Sequence, residues 1–133
     1  MRKPSFALWI GLLVTVLVLG GCCRGMRVTF FNETSEPVDA EFLTQGGPDQ
    51  QSHTRLGMID PGEEKSACKR FDEELLPSNF SITIDGGTPD TLTEIIEIPV
   101  EPYDEIEIYI RPDEEKGRMM HIADEEGRPI PKK

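Results

Sequence analysis

The sequence predicts an all-β chain, a small antiparallel sandwich behind an N-terminal leader. Three observations carry that expectation. Apolar and polar residues alternate with period two over several short stretches, Gly and Pro turn signals separate those stretches, and no long helical period follows residue 26. Many short strands with Gly/Pro turns suit an immunoglobulin-like or similar arrangement.

In chain order, residues 27–31 are β-branched and aromatic enough to form a first strand. Val38, Ala40 and Phe42 alternate with Asp39, Glu41 and Leu43 in the second. Residues 55–59 form another before Asp60-Pro61-Gly62, whose Pro and Gly suit the second and third positions of a type II turn. One helical turn is expected over residues 71–76, with Leu75 and Leu76 covering an open end of the core. Phe80, Ile82 and Ile84 then alternate with Ser81, Thr83 and Asp85, and Asp85-Gly86-Gly87 ends that strand. Residues 94–98 join the set, as do Ile106, Ile108 and Ile110 between Glu105, Glu107 and Tyr109. Two acidic near-repeats, 113–118 and 124–128, flank the apolar residues 119–123. They read either as two hairpin turns around an edge strand or as a disordered polar tail.

The leader has its own signature. Arg2 and Lys3 precede the uncharged apolar residues 6–19, the layout of a secretory signal. Those 14 residues fall short of the roughly 20 that span a bilayer comfortably, so a permanent transmembrane helix is the second reading. Immediately afterwards, Leu19-Gly20-Gly21-Cys22 resembles the lipobox of bacterial lipoproteins. The resemblance covers residues 1–22 only. It implies that Cys22 carries a thioether-linked diacylglycerol, that a signal peptidase cuts before it, and that its amine takes a further acyl chain such as palmitate. It also implies an envelope location facing the periplasm or the cell exterior, and the outer membrane in a host with two, because Cys23 rather than Asp follows the anchor residue. The alternative is an ordinary secretory signal that leaves Cys22 and Cys23 as free or palmitoylated thiols.

The chain then divides into a signal peptide (1–21), a tether (22–26), a sandwich (27–112) and an acidic hairpin edge or tail (113–133). Removing residues 1–21 takes Arg2 and Lys3 from the 14 basic residues and none of the 25 acidic ones, so the formal charge moves from -11 to -13. With no basic stripe, a nucleic-acid partner is not expected. Nor does charge draw the chain to anionic lipid, so the acyl chains must hold it there, at about 0.8 kcal/mol per buried methylene. The four residues after Cys22 reach at most about 14 Å, which keeps the domain close to the bilayer. Arg24 and Arg27 are placed to meet lipid phosphates or to remain solvated. Cys23 and Cys68 are candidates for a disulfide closing a loop of about 46 residues, worth about 4 kcal/mol. Equally, Cys68 is a small buried apolar group beside Phe71, and Cys23 a second acylation site or an idle thiol.

No catalytic or phosphate-binding motif occurs in the chain, and it is expected not to be an enzyme. His53 is expected in a solvated polar loop, with nothing to place it beside Cys68 as a base. Two metal readings remain. Asp85, Asp90 and Glu94 flank a Gly-rich turn and offer oxygens to calcium, and Met119 and His121 would share a strand face and offer soft ligands to copper. Both sets also suit ordinary solvated turns and edge-strand packing. Asn32-Glu33-Thr34 and Asn79-Phe80-Ser81 match the glycosylation triplet and are assigned no role. The expected function is a lipid-anchored, noncatalytic envelope module binding another protein or a glycan. The alternatives are an extracytoplasmic metal-binding module and a secreted or single-pass protein of other activity.

Overall fold

The computed structural model describes residues 25–45 and 51–133. The expectations placed on residues 1–21, on Cys22, Cys23 and Arg24 lie outside the described residues. Eight strands follow one another: β1 (Met26–Asn32), β2 (Val38–Gln45), β3 (Gln51–Ile59), β4 (Glu64–Lys69), β5 (Ser78–Ile84), β6 (Leu92–Ile98), β7 (Glu105–Asp113) and β8 (Gly117–Asp124). A single 3-10 turn, Glu73–Leu75, sits in the region expected as a helical turn, and no α-helix occurs among the described residues. The strands make two four-stranded sheets, ordered β4-β1-β7-β8 (sheet A) and β3-β2-β5-β6 (sheet B). All neighbours are antiparallel except β1 and β7, which run parallel with Val28 beside Ile106 and Phe30 beside Ile108.

Period-two alternation gives each sheet one apolar face, and the two faces bury each other in the manner of a β-sandwich. Sheet A contributes Val28, Phe30, Ile106, Ile108, Ile110, Met120 and Ile122. Sheet B answers with Val38, Ala40, Phe42, Phe80, Ile82, Ile84, Ile96 and Ile98, and the Phe42 and Phe80 rings meet at 5.0 Å across neighbouring strands. Fully burying such a side chain contributes about 1.5–3 kcal/mol, so this single core supplies the driving force.

In an immunoglobulin domain the first two strands lie side by side in one sheet. Here β1 and β2 fall in different sheets, so the immunoglobulin-like order is not the one adopted. The reason is local. Asn32, at the end of β1 and 1% exposed, points inward. Its Nδ2 donates to Glu36 O at 2.8 Å and to Ile59 O at 2.9 Å, while its Oδ1 accepts from Thr34 N at 3.0 Å and Thr34 Oγ1 at 2.6 Å. This polar knot turns residues 33–37 into a bridge from sheet A to sheet B rather than a hairpin. With both amide hydrogens engaged in the interior, Asn32 is no acceptor for a sugar.

Two further features depart from the sequence reading. β4 was not expected, because Glu64–Lys69 is exposed along most of its length and shows no apolar alternation. It holds its place by backbone pairing to β1, from Met26 opposite Lys69 to Phe31 opposite Glu64. His53 belongs to β3 rather than to a loop, opposite Leu43, with Nε2 2.8 Å from Glu41 Oε2.

The last residues stitch the sheets together along one side. Asp124 turns the chain by accepting from the backbone N–H groups of Glu126 and Arg128, each at 2.9 Å. Ile130, 6% exposed, then enters the core and its N–H donates to Ile122 O of sheet A at 2.9 Å. Lys132 bridges Ile96 of sheet B, and Lys133 N donates to Ile95 O at 2.7 Å. The open edges of β8 at Ile122 and Ala123 and of β6 at Ile95 and Ile96 are thereby covered, which protects those stretches from pairing with another chain.

Candidate functional site

The solvent side of sheet A carries the most distinctive surface. Residues facing out from β1, β7 and β8 must alternate with the core residues, and register puts Phe31, Tyr109 and His121 in one row across the strands. The Phe31 and Tyr109 rings stack at 4.7 Å with 9° between their planes, and His121 lies 6.2 Å beyond Tyr109. Stacked across neighbouring strands in this way, the rings stand upright and show their edges to solvent. The Arg111 guanidinium lies 4.9 Å from the Tyr109 centroid, a cation-π distance, and its Nε is 3.4 Å from Glu33 Oε2. Met119, 39% exposed, completes the patch beside Arg111. Tyr109 donates its O–H to Glu107 Oε2 at 2.5 Å. That bond to a carboxylate, with partial burial, pushes the phenol up to about 12.

At one end of the sandwich, where β1 begins, lies a groove of about 680 Å³. Gly25, Arg70, Phe71, Leu76, Val100 and Tyr103 line it. Phe71, Leu76 and Tyr103 pack partly against the core, whereas Val100 is 63% exposed. Gly25 fits only because it lacks a Cβ, which would fall 2.3 Å from Lys69 O. Cys68 is on β4 opposite Arg27, exposed and disulfide-bonded. It is therefore not the buried apolar group that one reading of the sequence offered.

At the opposite end a strap joins the sheets. Asp85 closes β5 with φ of 50°, accepts from Asp39 N at 2.9 Å through Oδ1, and pairs through Oδ2 with Arg118 Nη1 of β8. Arg118 Nη2 also donates to Asp90 O at 2.7 Å.

Compared with known proteins, the chain matches no family model, no curated protein and no solved structure. Its chemistry must be read from its own residues.

For the proposed calcium ligands, the structure gives each its own setting. Asp85 faces Arg118, the Asp90 side chain is exposed, and Glu94 Oε1 is 3.6 Å from Lys132 Nζ. Met119 and His121 do share the outer face of β8, with Met120 buried between them. Among the described residues no group of three or more His, Cys, Asp or Glu is placed to hold a metal ion. Arg27 is exposed on the outer face of β1, between Cys68 and Glu105, at the end where β1 begins. Burial by itself would make Asp124 harder to ionise. The backbone N–H groups of Arg128 and Glu126 and the Arg128 charge outweigh that burial and hold its carboxyl below the usual value.

Sequence reasoning missed Phe31, Tyr109, Arg111 and Arg118. The outward position of Tyr109 was legible in its alternation with Ile108 and Ile110. That Phe31 would lie against it depended on the parallel pairing of β1 and β7.

Proposed function

We propose that the chain is a lipid-anchored, noncatalytic envelope module that binds another protein through the outer face of sheet A. The observation that carries this reading is the row of Phe31, Tyr109 and His121 with Arg111 and Met119 around it. Aromatic, Met and Arg side chains are the types enriched at protein interfaces and their binding hot spots. A glycan has less to hold, since Phe31 and Arg111 already occupy the Tyr109 ring and a sugar finds edges rather than an open aromatic face. The metal alternative has less support again, because Asp85 already answers Arg118.

In this reading residues 1–21 are removed, and Cys22 carries diacylglycerol and an amide-linked acyl chain. Cys68 is disulfide-bonded, and with Cys22 lipidated the one remaining thiol of the chain's three is Cys23. We assign Cys23 as the partner. The module then sits on the envelope membrane, facing the periplasm or the exterior.

Two measurements test the reading. Mass spectrometry of the native product should find a lipidated Cys22 as the first residue, and an unmodified sulfur there or a retained leader removes the anchor. For the binding face, a photoreactive residue at position 119 in living cells should give one discrete protein adduct that Arg111→Glu abolishes. Adducts that ignore Arg111→Glu, or none at all, argue against sheet A as the binding surface.

A further inference from the structure

We propose that the groove end of the sandwich lies on the bilayer, with the loops of residues 70–77 and 99–104 seated in the lipid headgroup layer. This rests on the lipid anchor assigned above and goes beyond it by orienting the domain. The geometry is restrictive. Gly25 is itself part of the groove wall, and only two residues separate it from Cys22, a reach of about 10 Å. The disulfide shortens the leash further. Cys22 adjoins Cys23, and Cα atoms joined by a disulfide lie about 4.4–6.8 Å apart, so the acyl chains start within about 11 Å of the Cys68 Cα. Two residues after Cys68, Arg70 opens the loop that lines the groove. A domain pinned at two points on one end has little freedom to tip that end away from the membrane.

The side chains there suit an interface. Val100 is the most exposed large apolar residue described, at 63%, and Phe71, Leu76 and Tyr103 stand behind it. Tyr103 is of the amphipathic type enriched at the headgroup level. Arg27 and Arg70 are outnumbered there by Asp72, Glu74, Glu101 and Asp104, so charge draws this end to no anionic surface and a zwitterionic headgroup layer fits best. The tether, the disulfide and the exposed apolar side chains therefore favour one orientation.

The only tryptophan of the chain is Trp9, in the leader, so a Trp introduced into the mature protein is a sole reporter. The lipidated mature chain carrying Val100→Trp is reconstituted into phosphatidylcholine vesicles with or without brominated acyl chains. Met58→Trp serves as control, since Met58 is 52% exposed near the other end, about 20 Å away along the strands. Seated about 5–10 Å into the interface, the Trp at 100 should lose about half or more of its emission to bromine, while the Trp at 58 loses almost none. Equal quenching at the two positions, or none at 100 with lipid on Cys22 confirmed by mass, overturns the orientation and leaves the anchor standing. Absence of lipid on Cys22 removes the anchor itself. The Cys22→Ser form in solution separates other occupants of the groove. A Trp at 100 that is already blue-shifted at all dilutions means that residues 22–24 fill it, and one that becomes so only on concentration means a second copy. Either result overturns the proposal.

Discussion

Replacing Asn32 probes the crossover on which the topology turns, and the structure sets the magnitude. The side chain makes four hydrogen bonds, two as donor and two as acceptor. Each has a net worth of about 1 kcal/mol, but Thr34 is half-buried and regains water, so Asn32→Ala should cost about 2–3 kcal/mol. Asn32→Asp is the sharper test. It places an oxygen where the amide nitrogen donated, facing two carbonyl oxygens in the interior, and at neutral pH it buries a charge. That variant should be less stable than the Ala variant by about a further 1–2 kcal/mol at about pH 7. The sign of its pH dependence follows. Burial and the two carbonyls favour the protonated acid, so the folded-state pKa is raised above the unfolded value of about 3.9. The folded state then holds more protons, and stability falls as pH rises through that window. Urea unfolding of the mature Cys22→Ser protein, followed by circular dichroism at about pH 4 and about pH 7, reads the difference between the two variants. Because both share every other titrating group, the gap belongs to position 32. If the Asp variant matches the Ala variant at neutral pH, or the gap does not narrow in acid, the account of Asn32 is refuted.

The strap between sheets should behave as a partly buried pair, since Arg118 and Asp85 side chains are 17% and 18% exposed. Arg118→Ala should cost about 2–3 kcal/mol, between exposed and fully buried ion pairs, and a double-mutant cycle with Asp85→Ala should show about 1–2 kcal/mol of coupling. Ile130→Ala should cost about 2–4 kcal/mol by opening the side of the core that the last residues close, and thermal melts together with light scattering would show both lost stability and new association. Tyr109 should not ionise until about pH 12, and Glu107→Gln should lower that midpoint towards about 10 in an ultraviolet titration. Since its folded pKa is raised, the associated stability is present below about pH 10 and lost as pH climbs through about 12.

Several features of this protein were legible from residues 1–133 alone. The alternation of Val38, Ala40 and Phe42, of Phe80, Ile82 and Ile84, and of Ile106, Ile108 and Ile110 marked β2, β5 and β7 and the face each buries. Turn chemistry was equally visible in Asp60-Pro61-Gly62, where Gly62 has φ of 78° and Glu63 N donates to Asp60 O at 3.0 Å. These signals are local: side chains two apart on a strand share a face, and a Gly tolerates a positive φ wherever it stands. Pairing between strands leaves no such mark. It is made by backbone groups that every residue carries, so the exposed β4 had no signature in Glu64–Lys69. The parallel union of β1 with β7 depended on residues more than seventy positions apart. Of the surfaces at issue, the outward setting of Met119 and His121 came from spacing. The Phe31–Tyr109 stack, the Arg118–Asp85 strap and the groove beside Gly25 came from packing alone, because each joins strands that only the folded core brings together.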